Sequence, residues 1–312
     1  RFVKGLVDSP DLSLNISREL LQQSRELKVI GRNLEKNILK TLERTMKNNR
    51  EKYEKFWAEF GKSLKIGIYN SMYSGEDTVS KLKDLLLFDS SKDGKLTSLK
   101  EYVDRMPESQ KKIYYATGKD KEMIEHLPQM ELLREKGIEV LYLLDTVDEF
   151  AIETIREYAD KKFHSISRGD LELDDAESQE AKKETEDIAK KNDDLMKDIK
   201  EALGDKVADV KVSTRLKSSA VCLVADEQGP SLAMEQAFAE AANPMFKAKR
   251  ILEINPHHDL FGRLQKLHEA GKEGADFKDY CDLLYTQALL IEGILPEDPI
   301  AFANKVAQLM AK

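Results

Sequence analysis

The tightest constraint in this chain is a change of hydrophobic period part-way along it. Between residues 18 and 66 apolar side chains recur at three and four residues, in a background rich in Leu, Lys, Glu and Arg. Leu20, Leu21, Ile30, Leu34, Ile38, Leu39 and Leu42 trace one stripe; Tyr53, Phe56, Trp57, Phe60 and Leu64 trace another. That spacing covers one face of an α-helix, so two long packed helices are expected, with Trp57 in the core. Beyond them the chemistry changes. Lys112-Ile-Tyr-Tyr-Ala116 and Ile138-Glu-Val-Leu-Tyr-Leu-Leu144 are β-branched and aromatic runs of strand length. The stretch between them, Lys121 to Lys136, reads as a helix ended by Gly137. Strand, helix, strand predicts a parallel pair with a crossover. A helix over 147–158 follows.

Residues 170 to 201 are charged and read as a solvated linker running into an exposed helix. Three further strands are expected at Val207 to Val212, Ala220 to Val224 and Arg250 to Asn255. Asn255-Pro256 and Asp298-Pro299 each look like an N-cap followed by Pro at the first helical position, opening helices over 257–270 and 299–311. A helix over 276–291 lies between them. The fold class is therefore α/β and α+β, multi-domain, as 312 residues exceed what one core usually spans. The divisions are 1–30, the end of a larger α/β unit; 31–96, a helical connector; 97–170, a small α/β unit; 171–183, a charged linker; and 184–312, an α+β domain.

Acidic residues outnumber basic ones, 58 to 50, which argues against binding to nucleic acid phosphates. No G-x-G or P-loop pattern occurs, so a nucleotide cradle within the chain is not expected, nor is catalysis by the chain alone. The five histidines show no H-x-x-x-H spacing, and no metal site is expected. Cys222 and Cys281 stand far apart, which fits a reducing compartment such as the cytoplasm. The apolar runs are too short for a bilayer. The chain opens at Arg1 with neither signal peptide nor initiator Met, which suggests a piece of something longer.

Two apolar surfaces invite partners. Ser231 to Ala242 forms a short amphipathic helix carrying Leu232, Met234 and Phe238, either exposed or packed on the strands. Near the end, Phe277, Tyr280, Cys281, Leu284, Tyr285 and Ala288 line one helix, and Phe302, Val306, Leu309 and Met310 the next. The loop from Gly293 to Asp298 is short, so these helices should form an antiparallel hairpin. Packing against a second copy would give a twofold four-helix bundle and a homodimer.

The most specific run is Gly5-Leu-Val-Asp-Ser-Pro-Asp-Leu-Ser-Leu-Asn-Ile-Ser-Arg-Glu-Leu-Leu-Gln-Gln23. It resembles the catalytic-loop segment of the heat-shock protein 90 family of molecular chaperones, and bacterial members in particular. Lys111 to Thr117, Leu132 to Leu141 and Asp148 to Phe150 are similar to the family's middle domain. Arg250 to Pro256 and Leu283 to Leu290 are similar to its dimerisation domain. The resemblance implies a stress-response chaperone whose ATP- and Mg-binding N-terminal domain lies outside this chain. It implies that Arg18 reaches the γ-phosphate of ATP held by that domain, with Gln22 assisting; a guanidinium forks well onto phosphate oxygens. It further implies binding of unfolded client proteins at Glu149 and Phe150, where bacterial relatives carry Trp in place of the Phe, and at the helix of Leu232, Met234 and Phe238. A passive helical scaffold without chaperone activity is the alternative.

Overall fold

The computed structural model describes residues 4–5, 7, 25–74, 77–171, 173, 175–239, 247–271 and 274–311. The run from Gly5 to Gln23 lies outside them, Gly5 and Val7 excepted. Two long helices come first, α1 (Arg25–Asn48) and α2 (Arg50–Ser74), then a short α3 (Thr78–Leu82). The Asn49 side chain accepts the Lys52 N–H and starts α2. Of the second stripe read in the sequence, Tyr53, Trp57 and Leu64 enter the core, joined by Ile68, while Phe56 and Phe60 are half-buried; Leu39 and Leu42 of α1 pack against this core. Leu34 of the first stripe stays exposed.

Gly61 sits one turn beyond Trp57, the only tryptophan. A Cβ there would fall 2.7 Å from Trp57 Cδ2 and Cε2. Gly61→Ala should therefore displace the indole. Overpacking costs about 1–3 kcal/mol, against a helix-propensity gain of at most about 1 kcal/mol. The expected result is a net loss of stability together with a shifted tryptophan emission; a more stable protein with unchanged emission would show that the ring yields freely.

The first sheet takes six strands: β1 (Leu87–Ser90), β2 (Thr97–Ser98), β3 (Lys112–Thr117), β4 (Leu141–Leu143), β5 (Glu157–Tyr158) and β6 (Lys161–Ser165). Their order is β2-β1-β4-β3-β6-β5. β3 pairs in parallel with β4, as expected, and also with β6. The period of two sorts side chains between layers. Ile113, Tyr115, Leu141 and Leu143 face the core shared with α2, whereas Tyr114, Ala116 and Tyr142 face a second core on the other side. Helices α4 (Leu99–Arg105), α5 (Lys121–Glu125) and α6 (Glu131–Glu135) lie between β2 and β4. α4 starts on a capping box between Ser98 and Glu101.

Two expectations are corrected here. The helix over 121–136 is broken, because Pro128 has no N–H to continue it and a 3-10 turn, Pro128–Met130, intervenes. The helix over 147–158 is shorter, α7 (Asp148–Ile155); Arg156 turns to positive φ and the chain enters the β5–β6 hairpin through Ala159 and Asp160, both at positive φ. α7 is tied to α2 by Lys65. This nearly buried ammonium lies 2.6 Å from Asp148 and 3.0 Å from Asp145, over the Trp57 and Phe88 rings.

The second unit holds α8 (Ala176–Lys191), α9 (Asp193–Leu203), the strands β7 (Asp209–Val212), β8 (Val221–Ala225) and β9 (Arg250–Ile254), and helices α10 (Leu232–Ala237), α11 (Asp259–Ala270), α12 (Ala275–Ile291) and α13 (Pro299–Met310). The sheet order is β7-β9-β8, with β7 parallel and β8 antiparallel to β9. Asp298 caps α13 and Pro299 opens it, as read from the sequence. α11 instead starts after His258, whose ring accepts the Leu260 N–H, and Asn255 closes the preceding turn by accepting from His257. α8 is exposed along most of its length, as expected. α9 is not: Leu195, Met196, Ile199 and Leu203 are buried in the unit's core. Its stripe is legible at spacings of one, three and four, but the charged stretch around it hides it.

Candidate functional site

The residues singled out for client proteins gather where the two units meet. α7 presents Glu149 and Phe150, and α10 comes from the second unit carrying Leu232, Met234 and, just past its end, Phe238. Ser231 caps α10 by accepting the Met234 N–H. The same hydroxyl donates to Glu149 Oε2 across the junction. Glu149 Oε1 lies 3.3 Å from Arg168 Nη2 and 3.4 Å from the Tyr115 hydroxyl, which donates to it. Arg168 also pairs with Glu153 at 2.9 Å and approaches Met234 Sδ at 4.0 Å. Burial pushes the Glu149 carboxyl above its usual range, opposed by Ser231 and Arg168.

Glu149 is enclosed by these contacts. Its side chain is 4% exposed and all its partners are internal, so it is a strut between units with no surface to offer. Leu232 and Met234 are buried too, Leu232 in the core of the second unit. Phe150 and Phe238 differ. Each is half-buried, and their rings meet edge to face at 5.6 Å. Tyr69 of α2 meets Phe150 at 5.4 Å on the other side. An aromatic row from three elements thus sits at the junction, partly open to water. Tyr69, Arg168 and Ser231 were not singled out from the sequence; the N-cap position of Ser231 was the one available signal.

The expected dimer residues divide as well. Phe277, Cys281, Leu284, Tyr285 and Ala288 are buried within this chain's own core, against α9 and the second sheet, and Tyr280 packs beside them. They fill a monomer's interior, and a second copy would reach them only if that core opened. On α13, Phe302 and Val306 are half-buried, while Leu309 and Met310 are exposed at 37% and 83%. Ile300 and Leu295 beside them are 75% and 79% exposed, and Leu290 of α12 is 40% exposed. The unpartnered apolar surface therefore runs along α13 and the loop before it. Lys305 anchors α13 to α12 through Asp279 and Asp282, at 3.2 and 2.7 Å.

Four further contacts fasten the units. Arg215 is wholly buried and forks onto Glu253 at 2.9 and 3.0 Å, while donating to the Ile166 and Gly169 carbonyls of the first unit. Glu131 of α6 accepts the backbone N–H groups of Lys217, Ser218 and Ser219. Gln129 donates to the Leu223 carbonyl and to Glu292, whose carboxyl burial pushes up to about 7. Arg168, just past β6, makes an isolated parallel bridge to Ala225 at the end of β8. Among the described residues no cluster of three or more His, Cys, Asp or Glu could hold a metal ion, and no helix is long and apolar enough to cross a membrane.

A family model described as Hsp90 protein matches residues 1–312. The chain belongs to the Hsp90 family. It is 49% identical over 312 residues to the chaperone protein HtpG of Bacillus subtilis (strain 168), covering 99% of this chain and 48% of that protein. It is 48% identical over 310 residues to the HtpG proteins of Clostridium botulinum (strain 657 / Type Ba4) and Alkaliphilus oremlandii, with the same shares covered. The chain thus spans about half the length of the curated Hsp90 relatives it matches. Arg18 and Gln22, the family-derived candidates for ATP hydrolysis, lie outside the described residues.

Proposed function

We propose that this chain is the client-binding and dimerising part of a bacterial Hsp90-type chaperone. Its aromatic row Tyr69–Phe150–Phe238 contacts unfolded or partly folded proteins, and the exposed face of α13 meets a second copy. Family membership supports the chaperone reading. The observation that carries the client reading is the meeting of Phe150 and Phe238, 88 positions apart, ring against ring and half open to water. Such surfaces suit promiscuous apolar binding, since aromatic faces accept many partners without demanding hydrogen bonds. The Phe in place of Trp keeps that face and gives up the indole N–H. In the longer protein Arg18, with Gln22, would stabilise charge on the transferring phosphoryl group of ATP and Mg held by another domain. The proposed setting is the cytoplasm.

Binding of a permanently unfolded protein, reduced and alkylated, tests the reading. Phe150→Ser and Phe238→Ser should each weaken it about tenfold, since losing an apolar anchor at an interface costs about 1–2 kcal/mol. Cooperative thermal unfolding should persist in both. Unchanged affinity in both variants would remove the row from client binding and favour the scaffold alternative.

A further inference from the structure

The client row is not freely presented. Phe238 lies across Phe150, and beside that ring contact a polar tie spans the junction between α10 and α7. We propose that Ser231, Glu149 and Arg168 form a latch that keeps α10 docked on α7, so that the apolar surface proposed above to bind clients is largely self-covered until the latch releases. This inference rests on the client reading and adds its regulation.

The geometry argues for a latch in three ways. First, the tie has one hydroxyl at its centre. Ser231 Oγ accepts the Met234 N–H within its own unit and donates to Glu149 Oε2 in the other. One rotation of a small side chain can therefore release the cross-unit bond while water replaces it. Second, the carboxylate is poised at a cost. Glu149 is buried, and its ion-pair partner among the described residues, Arg168, is shared with Glu153 at a shorter distance, 2.9 against 3.3 Å. Buried pairs of indifferent geometry contribute little net stability, because desolvation offsets the attraction. Third, α10 is only six residues long, and the side chain it delivers to Phe150 is Phe238, at its C-cap. A helix that short does not hold itself in water, so its docking determines whether it persists. Leu232 anchors the first turn in the core, while Glu235 pairs with Arg250 and Gln236 donates to the Glu292 carbonyl, so α10 stays on its own unit and release opens the Phe238–Phe150 contact as α10 draws away from α7.

Release would uncover Phe150 and Phe238 together with Met234, which the tie holds beside Arg168. The occupant that follows is an extended or partly folded polypeptide with apolar side chains, the same class of partner as in the reading above. Such a partner competes with the intramolecular ring contact, so its apparent affinity is reduced by the fraction of molecules in which the latch is closed.

The test uses Ser231→Ala, with Ser231→Thr as the variant that keeps the hydroxyl. Amide hydrogen exchange over 231–239 and binding of the reduced, alkylated protein are read on the same samples. Ser231→Ala should exchange at least about tenfold faster in that segment and bind the unfolded protein several-fold more tightly. Ser231→Thr should resemble the parent in both. Because Ser231→Ala also removes a cap, Glu149→Gln, which leaves the cap in place, should give the same change in binding. Unchanged exchange in Ser231→Ala would overturn the latch. Faster exchange with unaltered binding would overturn self-covering. The underlying client reading fails separately: Phe150→Ser placed in the Ser231→Ala background would then leave binding where it was, whereas a sharp fall keeps that reading whatever becomes of the latch.

Discussion

Replacing Arg215 by alanine is expected to cost the second unit about 3–5 kcal/mol, the range for breaking a buried ion pair by removing one partner. Arg215 has no exposed side-chain surface and Glu253 almost none. The alanine variant would leave the Glu253 carboxylate buried beside Ser213 and Cys222, with no cation to balance it. It would also strip the Ile166 and Gly169 carbonyls of their donor, so the loss should be felt on both sides of the junction. Urea unfolding followed by far-ultraviolet circular dichroism measures the first effect, and faster amide exchange over 165–169 the second. The pair as such contributes less than its removal costs. A double variant, Arg215→Leu with Glu253→Leu, should recover much of the stability, because two apolar side chains strand no charge. What it fails to recover measures the two carbonyl contacts. Equal unfolding midpoints for Arg215→Ala and the parent would show that the guanidinium is replaced by water at no cost.

The second large effect separates folding from assembly. Leu284→Asp should abolish cooperative unfolding of the second unit. Loss of a buried leucine side chain costs about 2–5 kcal/mol, and the aspartate adds an unpaired charge among Phe277, Cys281 and Ala288. Ile300→Asp and Met310→Asp, on exposed positions, should leave the unfolding midpoint within about 0.5 kcal/mol of the parent. In sedimentation equilibrium at tens of micromolar the parent should be a dimer, and both of these variants should be monomers. Should both stay dimeric, the contact between copies does not run along α13. Should Leu284→Asp stay folded and become a monomer, α12 would have to face the partner after all.

The long helices, the parallel β3–β4 pair and the three strands of the second sheet were legible because periodicity survives over many residues. What escaped notice was short or lacked its usual signature. β2 and β5 are two residues each, too short to show a period. The β5–β6 turn runs through Ala159 and Asp160 at positive φ, where Asn-Gly would have announced it. α9 has a strong stripe, but it lies in a stretch so charged that the sequence there reads as a solvated face. The apolar face of α12 is legible as a stripe, but α9 and the second sheet, which pack against it, leave no local mark on it. At the candidate site, Phe150 is legible through family resemblance, and Phe238 also through the amphipathic pattern of its helix. Their partners were not, since a bond such as Ser231 to Glu149, spanning 82 positions, leaves no local pattern.

The two cysteines have a use that follows from where they lie. Cys222 sits on β8 and Cys281 on α12, both buried, both in the second unit, and burial raises both thiols, that of Cys281 to about 12. A thiolate is the species that alkylating reagents attack. In the native protein neither sulfur offers that species or an approach to it. Reaction with such a reagent is therefore gated by opening of the second unit. The first unit, which contains no cysteine among residues 1–170, stays silent in the same experiment. The unmodified chain thus carries a chemical clock for the breathing of one half of itself.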